Sequence, residues 1–184
     1  TLVYAGFGVG IPTGTVNAKG DTPRGPNSQL PYAMQIGSGT WDLKPTLGAT
    51  KKIGPKTSAG LNLSSVVRLG SNERSYTLGN IYDAELWGAY DVNEWLTLES
   101  RLKAAYWNEI SGMDPEVTLG IAPVAEPFNY GGWRIDAGLA AQIHLPGNKS
   151  RFVEVSADTP IYQDLNGTQI GTEWIYSIGV QWRF

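Results

Sequence analysis

The chain has 184 residues, a net charge of -3, no cysteine, 23 glycines and only 17% charged residues. Disulfides, thiolate metal sites and cysteine nucleophiles are therefore excluded, and the acidic balance offers no basic face to a nucleic acid. No run of about 18 apolar residues occurs, which excludes a transmembrane helix but not a membrane β-barrel, whose strands are half polar.

One all-β domain, residues 1–184, is expected at this length. An exported protein beginning at Thr1 is expected to be a processed chain. Helical periodicity is nearly absent, while period-two alternation recurs eight times. Residues 2–11 set Val3, Ala5, Phe7, Val9 and Ile11 against Tyr4 and three glycines. Residues 40–50 set Trp41, Leu43, Pro45, Leu47 and Ala49 against Asp42, Lys44, Thr46 and Gly48. Residues 58–70 alternate Ala59, Leu61, Leu63, Val67 and Leu69 with Asn62, Ser64 and Arg68.

Residues 81–91 oppose Tyr82, Ala84, Leu86, Gly88 and Tyr90 to Asp83, Glu85 and Trp87, and residues 95–107 oppose Leu96, Leu98, Leu102 and Tyr106 to Glu99, Arg101 and Lys103. Residues 132–145 oppose Trp133, Ile135, Leu139 and Ile143 to Arg134, Asp136, Gln142 and His144. Residues 152–158 form a shorter segment in which Phe152 falls on the polar side with Glu154. Residues 173–184 end the chain with Trp174, Tyr176, Ile178, Val180, Trp182 and Phe184 at every second position. None of the apolar faces carries a charge. Pro45 removes a ladder donor in mid-strand, so a bulge or local loosening is expected there.

The connections alternate too. Segments 12–39, 109–131 and 159–169 are long and 70–79 is of medium length, while the turns at 53–56, 91–94 and 146–149 are short and built from turn formers. That rhythm makes each neighbouring pair an antiparallel hairpin and puts every long loop at one end. An up-and-down meander of eight strands is best closed into a barrel, which exposes no edge.

Alternation alone leaves open whether the apolar face points inward, as in a soluble ligand-binding barrel, or outward into lipid. Strand lengths near the 9–11 residues of a membrane strand favour lipid. So do two groups of apolar-face aromatics: Trp41, Tyr82, Tyr106, Trp133 and Trp174 toward the long loops, Tyr90, Trp182 and Phe184 toward the turns. The expectation is a transmembrane β-barrel in the bacterial outer membrane, long loops extracellular, short turns and both termini periplasmic. The terminal run Tyr176, Ile178, Val180, Trp182 and Phe184 is similar to the signal that such barrels present to their assembly machinery.

A more specific resemblance rests on Ile11 to Gly14, Asp21 to Pro23, Leu30 to Tyr32, Met34, Gln35, Gly37 to Thr40, Asp42 and Leu43. This pattern resembles a bacterial outer-membrane transporter family described as the MetA-pathway of phenol degradation family. The resemblance covers about forty residues. It implies a channel passing small solutes, hydrophobic or aromatic ones included, and no catalytic residues come with it. Members are typically longer, so the chain is either a closed eight-stranded barrel or the C-terminal part of one of about twelve strands, and strand parity does not separate the two.

Enzymatic chemistry is not expected. His144 is the only histidine and no partner serine is indicated, so it reads as a packed interior residue. No ligand spacing suggests a metal, and no cofactor is implied. The expected lumen-lining set is Asp42, Lys44, Arg68, Asp83, Glu85, Glu99, Arg101, Lys103, Arg134, Asp136, Glu173 and Arg183. Within it Asp42 is expected to pair with Lys44, Glu99 with Arg101 and Lys103, and Arg134 with Asp136. These charges either line a passage and set its selectivity or form a plug that leaves a structural or adhesive scaffold acting through its loops. Outer-membrane lipid, the assembly machinery and a small solute are the expected partners, and the long loops are the candidate sites of gating.

Overall fold

The structure, a computed structural model, describes residues 1–23, 25–145 and 148–182. Eight strands form one sheet: β1 Leu2–Gly10, β2 Trp41–Lys52, β3 Thr57–Leu69, β4 Ile81–Asp91, β5 Leu96–Trp107, β6 Gly132–Leu145, β7 Asn148–Leu165 and β8 Ile175–Gln181. Each strand pairs antiparallel with its chain neighbour, in the order β1 to β8. Closure does not follow from the ladders, because β1 and β8 are the two edges of an open sheet. No helix among the described residues is long and apolar enough to cross a membrane.

The long connections all lie at one end, and both chain ends lie at the other. Leu2 faces Thr50 beside the 53–56 turn, and Gln181 faces Phe152 beside the short connection after β6. β1 and β8 therefore run in opposite directions along the two edges.

Of the two alternatives expected at Pro45, the structure shows local loosening: the register of β2 on β3 is the same before and after it, so no bulge forms. The ladder simply lapses over Lys44 and Pro45, where the proline has no N–H to donate. The bulge falls instead in β7: Ile135 faces Tyr162 and Asp136 faces Pro160, leaving Ile161 as the extra residue. β7 consequently continues to Leu165, through much of the segment expected to be a loop. The bulge brings Ile161 and Tyr162 to the exposed surface in succession, and this breaks the alternation that marks a strand.

The facing of the sheet is inverted relative to a water-soluble fold. Phe7, Leu86, Leu139, Tyr176, Ile178 and Val180 are exposed, Leu139 to 69%. Asp42, Thr97, Asp136, His144, Ser156 and Asp158 are buried on the opposite face. Soluble monomers rarely leave so continuous an apolar surface in water. On the exposed face Tyr82, Tyr106 and Trp133 sit side by side on β4, β5 and β6, with ring centroids 6.2 and 4.5 Å apart. Asn80 and Asn108, just beyond the strands, donate to the two tyrosine hydroxyls at 3.4 and 3.1 Å. Such rings present an apolar body and a polar tip at one level.

The largest cluster of buried apolar side chains lies in the loops. Val16, Tyr32, Tyr76, Ile110, Val117 and Ala125, from three connections, pack together with Leu78 and Tyr130 against them. Two small antiparallel ladders frame it: the hairpin of Lys19–Thr22 with Gly25–Gln29, and Tyr76–Thr77 of one loop with Ser111–Gly112 of another. The long loops are a folded cap at one end of the sheet. They are not the loose tethers their composition suggests.

Candidate functional site

The buried polar face is organised in rows that the register lays across the sheet. In one row Tyr4 faces Gly48, Gly48 faces Asn62, Asn62 faces Glu85, Glu85 faces Lys103 and Lys103 faces Asp136. In the next row toward the short turns, Gly60 faces Trp87, Trp87 faces Arg101, Arg101 faces Gly138 and Gly138 faces Asp158.

Three large side chains of the polar face are laid flat along the sheet over a glycine. Tyr4 passes over Gly48 to hydrogen-bond Asn62, the Trp87 ring covers Gly60, and Arg101 crosses Gly138 to reach Asp158. A Cβ on any of the three glycines would collide with the side chain above it. Space for close approach is what a strand glycine supplies, and here it lets bulky groups lie flat against the sheet.

Arg101 is the centre of the charged network. Its Nε and Nη2 each donate to Asp158 at 2.6 Å, a two-pronged pair, and Nη2 also donates to Ser156 at 2.9 Å. Glu154 and Glu99 lie farther out, at 3.9 and 4.0 Å from Nη1. The expected partnership of Arg101 with Glu99 is therefore its weakest. Asp158, two alternations on from Glu154, was legible by phase but absent from the expected set, because the segment that carries it is short and irregular.

The remaining expected pairs divide. Arg134 donates to Asp136 at 3.0 Å, as its i to i+2 spacing allows. Lys103 pairs with Asp83 at 3.3 Å and not with Glu99. Asp42 takes Arg68 at 2.9 Å from the facing position on β3, together with the Thr40 hydroxyl at 2.8 Å, while Lys44 is exposed and not its partner. Glu85 accepts from Asn62 at 3.0 Å. Glu173 is exposed, ahead of β8, with its carbonyl accepting from Thr159. Tyr176, Ile178 and Val180 lie on the exposed face of β8, and Trp182 follows it beneath the Arg151 guanidinium at 4.5 Å. Arg183, Phe184 and part of the 146–149 turn lie outside the described residues.

His144 is 9% exposed, packed edge-on against Phe152, and bonded through Nε2 to the Thr97 hydroxyl at 2.8 Å. That hydroxyl donates to Asp91 at 2.7 Å. A hydroxyl whose proton is committed to a carboxylate is not placed to give it to the imidazole, so the group ties β4, β5 and β6 together at the short-turn end.

The cap is pinned by a second ion network. Arg74 donates to both oxygens of Asp114 at 2.8 and 2.9 Å, and to Glu116 at 3.0 Å; Lys19 meets Glu116 at 3.0 Å. Asp114 is 1% exposed, and its N–H donates to the Tyr32 hydroxyl. Burial pushes the Tyr32, Tyr76 and Tyr130 phenols above their ordinary value. The bonds from Arg74 and then Lys19 hold the Glu116 carboxyl down at about 2.

A carboxyl lowered on folding contributes stability above its unfolded value, near 4.3, and loses it as pH falls through the folded one. The Glu116 carboxyl carbon resonance is thus expected to titrate near pH 2, and Arg74→Met to move that midpoint up toward the ordinary value. An ordinary midpoint in the parent chain would contradict the network.

Several residues of the sequence pattern at 11–43 act in this loop architecture. The Gln35 side chain accepts from Ala18 N–H at 2.9 Å and donates to the Leu30 carbonyl at 2.7 Å, stitching the first loop. Gly14 and Gly37 touch backbone to backbone, with no room for a Cβ on either. Tyr32 sits at the centre of the cap. Comparison with protein-family models and with curated proteins gives no match.

Proposed function

We propose that the chain is an outer-membrane β-barrel of a bacterium, that its buried polar face lines a passage, and that small solutes cross by diffusion. The observation that carries this reading is the inverted sheet, exposed apolar side chains on one face and buried, mutually paired charges on the other. Lipid tolerates no unpaired sheet edge, so on this reading β1 and β8 are joined. Their opposite directions and common end suit direct pairing, and further strands between them would serve equally. The pattern at residues 11–43 supports kinship with the transporter family named above. The charged walls favour polar solutes over the hydrophobic or aromatic ones which that kinship implies.

Side chains folded flat over Gly48, Gly60 and Gly138 support a passage over a plug. The packed cap supports the second reading, a scaffold presenting its loops. Conductance across a planar bilayer separates them. A passage gives stable steps, while a folded barrel without steps favours the scaffold.

The charges around the interior cavity balance: Glu85, Asp136 and Asp158 against Arg101, Lys103 and Arg134. The parent channel is therefore expected to select weakly between cations and anions. Glu85→Gln should shift the reversal potential in a salt gradient toward anions and Lys103→Met toward cations. Shifts of the same sign, or none, would remove these residues from the lining.

A further inference from the structure

The two ends of the sheet carry opposite charge. At the loop end acids outnumber bases, and the described bases there, Lys19 and Arg74, are already paired with Glu116 and Asp114. At the short-turn end Lys51, Lys52, Lys56 and Arg151 stand against Asp91 and Glu94. Asp91 accepts from the Thr97 hydroxyl, which leaves Glu94 as the exposed acid of that rim among the described residues.

The lysines of the first turn are short of partners. Among the described residues Lys51 and Lys52 are exposed and in no ion pair, and Lys56 meets only the Val92 carbonyl, at 3.4 Å. Free lysines are common on wet surfaces. What sets these apart is their place in the pattern. Lys51 falls in the apolar phase of β2, after Leu47 and Ala49 and before Ile53, and both Leu47 and Ile53 are exposed. Across the ladder it faces Ala59, which faces Gly88, so its aliphatic stem has small neighbours to lie over.

Aromatic rings complete the rim. Tyr90 faces Thr57, whose carbonyl accepts from Ile53, and Trp95 closes the next turn; both rings are exposed. A cation on an apolar stem beside such rings suits the boundary between acyl chains and headgroups.

We propose that this rim, from Lys51 to Trp95, is a docking surface for an anionic glycerophospholipid, its phosphate held among Lys51, Lys52 and Lys56 and its chains lying along the apolar face beside Leu47 and Tyr90. The inference rests on the reading of that face as lipid-facing and names the lipid it selects at the short-turn end. Charge complementarity chooses the occupant. A zwitterionic head brings no net charge to lysines that lack acids, whereas an anionic head does, and each lysine near an anionic surface strengthens binding by about fivefold. The acidic loop end repels the same head, which confines the preference to one leaflet.

The test is refolding into phosphatidylcholine vesicles that contain a small proportion of phosphatidylglycerol labelled with pyrene on its acyl chain, with pyrene-labelled phosphatidylcholine as the reference. Energy transfer from tryptophan, Trp95 on the rim included, reports the bound lipid. Transfer to the phosphatidylglycerol should half-saturate at a proportion at least about tenfold lower. Lys51→Gln alone should weaken that preference by about fivefold, and Lys51→Gln with Lys52→Gln and Lys56→Gln should abolish it. Glu94→Gln should strengthen it, and Glu109→Gln, an exposed change at the loop end, should leave it as it is. Added salt should weaken it.

Equal transfer to the two lipids, or a preference that survives loss of the three lysines, would overturn the proposal. Displacement of the labelled lipid by millimolar inorganic phosphate would overturn it too, by assigning the lysines to a free anion. Folding in pure phosphatidylcholine, read from unheated gels, separates this from the broader reading. A chain that folds there without lipid preference keeps the barrel and loses the docking surface, and a chain that does not fold there loses both.

Discussion

Leu139→Arg is expected to destabilise the chain in a lipid bilayer by about 2–4 kcal/mol. Leu139 lies mid-strand in β6, with its side chain on the apolar face and 69% exposed. If that face meets acyl chains, the guanidinium is carried near the middle of the hydrocarbon, where an arginine costs most. If the face meets water, the same change is a surface substitution, which usually falls within about 0.5 kcal/mol. Urea unfolding from lipid vesicles measures the difference. Leu98→Arg, near the short-turn end of β5 opposite Tyr90 and 48% exposed, should cost less, about 0–1 kcal/mol. A Leu139→Arg variant as stable as its parent in vesicles would reverse the assigned facing.

Asp158→Ala should cost about 3–5 kcal/mol, because it strands the Arg101 guanidinium on the buried face. The pair is two-pronged at 2.6 Å, and the two side chains are only 17% and 11% exposed. Gly138→Ala should break the same pair from beneath, since a methyl group there would occupy the Asp158 carboxylate position. Because both changes remove one interaction, their combined effect should be smaller than the sum. Replacing both partners, as Arg101→Met with Asp158→Leu, should recover much of the loss, as apolar replacement of a buried pair often does. A cost for Asp158→Ala below about 1 kcal/mol would mean that the pair is open to solvent and screened.

Much of this architecture is written in the alternation. The period-two pattern places all eight strands of the sheet, the turn formers separate short connections from long ones, and the charge-free faces are the exposed ones. What escaped depends on contacts between segments distant in sequence. The partner of Asp42 is Arg68 rather than Lys44, because register and not proximity in sequence sets which side chains meet. The end of β7 was hidden because the bulge at Ile161 turns alternation into two successive exposed residues. Tyr32, Tyr76, Ile110 and Val117 come from loops with no periodicity at all, so their common cluster, and the buried Asp114 beside it, had no local signal. Nor does a strand count distinguish an open sheet from a closed one. Closure is decided by whether the edges of β1 and β8 find each other.

The most direct test of the account is whether the chain needs a membrane to fold. Urea-unfolded protein is diluted into phosphatidylcholine vesicles and, in parallel, into buffer alone, and each sample is run unheated and heated on a gel. The account predicts a faster-migrating, protease-resistant band that forms only with vesicles and is lost on heating, since the apolar face has no other surface to cover it. A folded, monodisperse monomer in buffer without lipid or detergent would contradict it and place the apolar face in water.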